Sequence, residues 1–412
     1  MTTRLETTTR TTSSGARGRP LSDSVLELIW LQEKMSRAEI ARRTGLSRST
    51  VSDIVSNLLA TGLIAEVGDG PSRGGRRPIM LAFQDDAYVI LGVDMGSSHV
   101  SVGLTDLRGR ILAWEHRDHP VRSDPDGTGA LIAELSDSCL RQWGGTRKHL
   151  LGIGVAVPSP VDPRNPETLS DIALPAWKGR SGLDGLKAEY ESPVFIDNDA
   201  NLGALAEHWW GAGRGIDDFA YVKLATGIGA GYMIRGEIYR GASGVAGEIG
   251  HVTIDGNGPV CNCGNRGCLV TFIGSEELIA QANALLGDFP DSPLADGEIS
   301  IRAIEDAALD SDPLALHLTE RAGRRLGVAI ADVLNLMNPS AVILGGSLSR
   351  LGDSLVVPLR ETAVRRTFAN SVAAVDIRTS ELGPRSIAVG AATLVLHEAL
   401  KNPRLFPQPA SP

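Results

Sequence analysis

Three cysteines crowded into eight residues, Cys261, Cys263 and Cys268, stand ten residues after His251. No other feature constrains the chain as much. One imidazole nitrogen and three thiolates are the donor set of a tetrahedral zinc. Four protein ligands leave no open position, so such a zinc would be structural and would pin a loop. Gly264 and Gly267 supply the bends that bring the ligands together. The alternative is a set of reduced, buried cysteines near an unrelated histidine. A disulfide framework would spread its cysteines, and Cys139 stands alone, so a reducing, cytoplasmic setting is expected.

The chain has 412 residues, too many for one core, and two or three domains are expected. Hydrophobic residues at 42% exclude a largely disordered protein, and 47 glycines favour an α/β protein with many tight turns. The net charge of −9 argues against nucleic acid, but its distribution does not. Residues 1–84 carry 12 Lys and Arg against 8 Asp and Glu, and the remainder carries 28 against 41. Such asymmetry suggests a small basic module carried on an acidic body; chance fluctuation is the alternative, which four charges alone do not exclude. No apolar run reaches the length of a membrane span. Residues 1–18, rich in Thr, Arg, Ser and Gly, lack the apolar stretch of a secretory signal and read as a disordered tail.

Residues 19–84 divide into three helices and two strands. Ser22 to Leu31 predicts a helix with Val25, Leu28, Ile29 and Leu31 as its apolar stripe. Ser36 and Glu39 have capping-box spacing at the start of a second helix. Gly45 supplies a turn, and Ser47 caps a third helix to about Leu59, with Val51, Ile54, Val55 and Leu58 buried. Helix, short glycine turn and helix is the helix-turn-helix arrangement. Arg48, Ser49, Thr50, Ser52 and Asn57 fall outside the buried stripe and have the donors and reach for phosphates and base edges in a major groove. A polar solvated face on an ordinary helical bundle would look similar. The next segment favours DNA: strands at 62–66 and 79–83 flank a glycine-rich loop with Arg73, Arg76 and Arg77, a wing suited to phosphates or a narrow minor groove.

From about Tyr88 the chain alternates buried strands with polar turns. Asp94 and Gly96 close one strand in an Asp-x-Gly turn that can approach a phosphate and its magnesium, with a plain β-hairpin turn as the alternative. Asn198 and Asp199 follow another, where open α/β sheets bind ligands. Asp199 is a candidate general base and Asn198 a candidate hydroxyl binder, with helix capping as the plain alternative. Thr226, Gly227 and Gly229 form a second glycine-spaced turn that fits phosphate oxygens or merely a tight hairpin, and Gly345-Gly346 leads a helix in a way that admits an adenine or ribose.

These residues resemble the ROK family of repressors, open reading frames and kinases, over roughly residues 20–400. The most specific stretch is Gly241-Ala242-Ser243-Gly244-Val245-Ala246-Gly247-Glu248-Ile249-Gly250-His251 with its three-cysteine loop. The resemblance implies an N-terminal winged helix-turn-helix, α with a small β wing, on an α/β two-lobed actin-like, ribonuclease H-like domain at 88–400. Its first lobe would take about 88–200 plus the C-terminal helix, its second about 201–385. It implies that Asp199 matches the kinases' catalytic aspartate, and that Asn198, Glu248 and His251 match sugar-site positions, with His251 also a zinc ligand. Asp94 and Gly96, Thr226 to Gly231, and Gly345-Gly346 match the nucleotide loops.

The departures from the kinase pattern are specific. Ser97-Ser98-His99 replaces Gly-Thr-Lys, Val270 stands where a sugar-binding Glu is usual, Ala173 where Asn is usual, and Ser159 replaces Gly. Without the carboxylate, ligand binding weakens by roughly 1.5–3 kcal/mol. The expectation is therefore a non-enzymatic regulator that binds a double-stranded DNA operator and a small-molecule sugar effector as a homodimer or homotetramer. An active sugar kinase and an effector-independent DNA binder are the alternatives.

Overall fold

A computed structural model describes residues 21–70, 77–368 and 375–407. The fold separates into two compact units, one drawn from Met1–Ala87 and Glu398–Pro412 and the other from Tyr88–His397.

In the first unit, α1 (Leu21–Leu31) is followed by the two-residue strand β1 (Met35–Ser36), α2 (Arg37–Thr44), α3 (Arg48–Ala60), β2 (Ile64–Asp69) and β3 (Ile79–Phe83). The strands form a sheet in the order β1-β3-β2. Ser36 caps α2 by accepting from the Glu39 amide at 3.2 Å. Only half of the expected capping box forms, because the Glu39 carboxylate turns to Arg42 and Arg43. Gly45 ends α2 at φ 72°, a conformation that suits glycine alone at little cost. Ser47 caps α3 through the Thr50 amide at 3.1 Å.

The core differs from expectation in one helix. Val25 and Ile29 are buried, but Leu26 and Trp30 complete the stripe, while Leu28 is half-buried and Leu31 is 61% exposed. The stripe is rotated because α1 packs against β3, α3 and α2, so its contact face is set by three neighbours. In α3, Val51, Val55 and Leu58 are buried and Ile54 is half-buried.

The second unit repeats one plan twice. Its first sheet holds β4 (Val89–Met95), β5 (His99–Thr105), β6 (Ile111–Asp118), β7 (Leu150–Val157) and β8 (Val194–Asn198), in the order β6-β5-β4-β7-β8. β6, β5 and β4 pair antiparallel, and β4, β7 and β8 parallel. Its second sheet holds β9 (Phe219–Leu224), β10 (Ile228–Ile234), β11 (Glu237–Tyr239), β12 (Ala341–Gly345) and β13 (Asp376–Thr379), in the order β11-β10-β9-β12-β13 with the same division.

Helices α4 (Pro125–Trp143) and α5 (Asp184–Tyr190) cover one face of the first sheet with an apolar layer that includes Leu131, Ile132, Leu135 and Leu186. The outer face of the second sheet is covered by α7 (Val270–Ile273), α8 (Ser275–Leu285), α9 (Ile301–Leu309), α10 (Pro313–Met337) and α11 (Asp353–Arg366). Between the sheets run α6 (Asp199–Trp210) and the closing helix α12 (Ser386–Lys401). Leu202 and Leu205 of α6 pack with Ile387, Ala391 and Leu394 of α12 and Ala156 of β7. On the other side Ala204 packs with Phe219, Tyr221 and Ile343. A side chain at Gly154 would place its Cβ 1.9 Å from the Ala391 carbonyl, and one at Gly390 the same distance from the Leu202 carbonyl. The seam of α12 therefore depends on backbone-to-backbone contact.

Candidate functional site

The polar face of α3 comes first in the chain. Arg48, Ser49, Ser52 and Asn57 are exposed on α3, and Thr50 is half-buried. Ser47 ties down two of the expected groups: its hydroxyl lies 2.8 Å from those of Ser49 and Thr50. Arg77 is exposed at the entry to β3. Arg73 and Arg76, like the expected tail at 1–18, lie outside the described residues.

In the second unit, acidic and amide side chains gather at the C-terminal ends of the parallel strands. Asp94, Ala156 and Asp197 occupy one row across β4, β7 and β8. Asn198 caps α6: its Oδ1 accepts from the Ala200 and Asn201 amides at 2.9 and 3.2 Å, and its Nδ2 donates to the Ser159 carbonyl at 3.2 Å. Asp199 follows, buried and in an ion pair with Lys223. Asp197, 2% exposed, accepts from Arg240 Nε at 2.8 Å and from Asn201 Nδ2 at 3.1 Å. That pair fastens the segment after β11, which carries Glu248 and His251, to the first sheet. Burial and then the charge of Asp199 push the Glu248 carboxyl up to about 7. Glu248 Oε2 lies 3.9 Å from His251 Nε2. These four expected residues are thus neighbours in the chain's fold: Asn198 and Asp199 in sequence, Glu248 beside His251, and Asp199 near enough to Glu248 to shift it.

The turns expected to approach phosphate are, Gly227 apart, not open loops. His99 folds back over Gly96, so that a Cβ on Gly96 would meet the imidazole at 2.3 Å. Its Nε2 stands 3.3 Å from Asp94 Oδ2. Burial opposes the Asp94 charge, yet His99, with Lys223 and His116, outweighs it and lowers the Asp94 pKa. Burial also opposes protonation of His99, and Asp94 outweighs it, raising the His99 pKa.

In the second turn, Gly227 is open. Gly229 and Gly231 let β10 lie on α6: a Cβ at Gly231 would sit 2.3 Å from the Ala200 carbonyl, and one at Gly229 would touch the Ala200 side chain at 3.4 Å. Gly345 and Gly346 similarly clear Tyr221 and the Leu224 carbonyl. Thr226 follows Lys223 by three residues, and its carbonyl lies close to Gly274. Ser159, which stands where the kinases have Gly, ties its turn: its Oγ accepts from the Ser170 amide at 2.9 Å. Val270 and Ala173, the two apolar replacements, are half-buried against the cores of the second and first sheets.

His251, Cys261, Cys263 and Cys268 converge with their ligand atoms all within 4.8 Å of one another. Cys261 Sγ lies 3.5 Å from His251 Nδ1, and Cys263 Sγ lies 3.7 Å from Cys268 Sγ. Burial lowers the His251 pKa, which favours the neutral imidazole that ligates metals. Four such donors make a cluster that can hold a metal ion. With Nδ1 turned to the cluster, Nε2 is left facing Glu248.

Lys223 and the Asp197–Arg240 pair were absent from the sequence-based set. Strand alternation puts Lys223 on the same face of β9 as Phe219 and Tyr221, but only the fold shows that α6 covers that face.

Residues 90–398 match the ROK family, and residues 24–65 match a winged helix-turn-helix DNA-binding family. The xylose repressor of Bacillus subtilis is 33% identical over 376 residues, 91% of this chain and 94% of that protein. The DNA-binding transcriptional dual regulator NagC of Escherichia coli is 32% identical over 391 residues, 92% and 93% of the two chains. Among solved structures, a ROK family transcriptional regulator, a homologue of the E. coli MLC protein, superposes with a TM-score of 0.79 at 26% identity, covering 93% of this chain and 96% of that one. A ROK family glucokinase from Streptomyces griseus, solved with glucose and AMPPNP, gives a TM-score of 0.68 at 28% identity over 74% of this chain and 98% of its own. The two doubled sheets with α6 between them, the ligand cluster after the glycine-rich segment, and these full-length relatives agree: the chain belongs to the ROK family.

Proposed function

We propose that the protein is a sugar-responsive, sequence-specific transcription regulator of the repressor type, with a ROK body that binds its effector without phosphorylating it. The observation that carries this is the exposed polar face of α3, capped by Ser47 and followed by a two-stranded wing, on a chain aligned along almost its full length with proteins named as repressors. Arg48, Ser49, Ser52 and Asn57 read base edges and phosphates in this reading, with Arg73, Arg76 and Arg77 on the wing. A homodimer or homotetramer supplies two such faces for an operator with two half-sites.

Asn198, Asp199, Glu248 and His251 bind sugar hydroxyls. Val270 and Ala173 leave two apolar places, which suits a pentose, a deoxy sugar or a substituted sugar better than glucose. The relative named for xylose accords with the pentose class. The metal is a structural zinc: tetrahedral Zn–S bonds of about 2.3 Å place sulfurs about 3.8 Å apart, close to the 3.7 Å between Cys263 and Cys268. Against kinase action stands the His99 ring over Gly96, paired with Asp94, where a phosphate would have to approach.

For an effector to act, it must bind the DNA-free state and the DNA-bound state with different affinity. The test is binding of the full chain to its own upstream DNA by fluorescence anisotropy, with D-xylose, D-glucose and N-acetylglucosamine in turn. Specific binding that one sugar shifts at least tenfold is expected. Binding that no sugar alters favours the effector-independent reading. Turnover on the order of 1–100 per second with any of these sugars and ATP overturns the non-enzymatic reading.

A further inference from the structure

Lys223 carries a charge where a central strand ordinarily keeps apolar side chains. β9 is the middle strand of the second sheet, and at the level of Lys223 both neighbouring strands present glycine, Gly229 on β10 and Gly345 on β12. Its side chain follows Phe219 and Tyr221 on the face toward α6 and is 10% exposed. Burying an ammonium costs several kcal/mol unless partners compensate it. The direct partner is Asp199, itself 7% exposed, at the first turn of α6. A second carboxylate, Asp94, comes from the end of β4 in the other sheet. Its Oδ1 is buried without a hydrogen-bond partner. The ammonium of Lys223 is near enough to Asp94 that each favours the other's charged form: the Lys223 pKa is raised, although burial lowers it, because Asp199 and Asp94 outweigh that burial.

We propose that Lys223 is a resident cation of the interlobe cleft: it takes the place a divalent ion holds among such carboxylates in phosphoryl transfer, and positions Asp199 as a fixed hydrogen-bond acceptor. A phosphoryl-transfer site neutralises its charges with magnesium, and its aspartate receives a proton from the attacking hydroxyl. Here the neutralising charge is covalently part of the chain. An Asp199 oxygen held by the Lys223 ammonium is fixed in place as a hydrogen-bond partner for a hydroxyl. The cleft therefore needs neither metal nor nucleotide to present its carboxylates. This deepens the sugar-sensing reading by saying how the site is preset, but its test reads metal alone, so either can fail without the other.

The experiment is thermal unfolding of the zinc-replete full chain with and without 10 mM magnesium chloride, for wild type, Lys223→Met, Lys223→Met/Asp94→Asn and Lys223→Met/Asp199→Asn, the concentration being about that of a weak carboxylate site. Wild type should be indifferent to magnesium. Lys223→Met should melt several degrees lower and gain a magnesium response of about 2–4 °C. Each double variant should lose that response, and Lys223→Met/Asp199→Asn should regain part of the melting temperature because the unpaired carboxylate is gone. If Lys223→Met does not fold, the same double variant must fold. Failure of both means that a stranded Asp199 carboxylate is not what Lys223 relieves, and overturns the proposal. So does a Lys223→Met protein that is as stable as wild type and blind to magnesium, or a wild-type response to magnesium that Asp94→Asn abolishes.

Discussion

Arg240→Ala should loosen the cleft from its edge. Asp197 is 2% exposed, and its ionised oxygens are served by two guanidinium bonds from Arg240, an amide of Asn201 and the Asn198 N–H at 2.7 Å. Removing the arginine leaves two neutral donors for a buried carboxylate. Breaking a fully buried pair costs about 3–5 kcal/mol. The Arg240 side chain is 27% exposed, so water can partly replace it, and about 2–3 kcal/mol is the better figure. For a unit of this size, unfolding entropy converts that to about 3–5 °C in melting temperature. Because the pair fastens the segment that carries Glu248 and His251, affinity for the proposed sugar effector should fall with stability. The assay is denaturant and thermal unfolding with calorimetric sugar titration, on Arg240→Ala and on Arg240→Ala/Asp197→Asn. The double variant should recover at least half of the lost stability, since the stranded charge is removed. A single variant within 0.5 kcal/mol of wild type (roughly the spread of neutral surface changes), or a double variant no better than the single one, refutes the reasoning.

Three further outcomes are expected. Replacing Arg73, Arg76 and Arg77 together by Ala should weaken DNA binding and make its salt dependence shallower, by about 0.9 in log–log slope for each phosphate that is no longer neutralised; an unchanged slope removes the wing from the interface. Metal analysis of protein purified without added metal should give about one zinc per chain, with Cys263→Ser losing the metal and destabilising the body; a metal-free wild type of full stability contradicts the zinc reading. The raised pKa of His99 means that its pairing with Asp94 contributes fully below the ordinary histidine value of about 6.5 and is lost as pH rises through the higher folded value. The lowered Asp94 contributes above the ordinary carboxyl range and is lost as pH falls through its folded value. His99→Gln should therefore flatten the decline of stability above about pH 6.5, and a variant with the wild-type profile would show that the pair is silent.

Local chemistry was available in the sequence wherever one residue decides a local structure. Ser36, Gly45 and Ser47 mark the helix ends because capping is a contact within one turn. The cysteines mark their cluster because spacing and donor type suffice. What needed the fold is what depends on partners far along the chain. The burial of Leu26 and Trp30 in place of Leu31 follows from where β3 lies. The two-residue β1 exists only through its pairing with Met80 and Leu81. Gly229 and Gly231 look like a phosphate turn in sequence, yet their room is taken by Ala200 of α6. Arg240 finds Asp197 across 43 residues, and Lys223 looks like any polar position in an alternating strand until α6 covers it.

The cap on α6 gives the proposed sugar cleft a polarity. Both lone pairs of the Asn198 carbonyl are taken by α6 amides, and one of its two N–H groups by Ser159. It has one hydrogen left to give and nothing with which to receive. Asp199, with one oxygen held by Lys223, can only receive. A ligand must then offer an acceptor to the first residue and a donor to the second, and inverting either role leaves a buried group without its complement. A sugar with fluorine in place of the hydroxyl that faces Asn198 keeps an acceptor there. The same exchange opposite Asp199 sets two electronegative atoms against each other. The cleft should thus tell apart two analogues of identical size and composition by which way their hydrogens point.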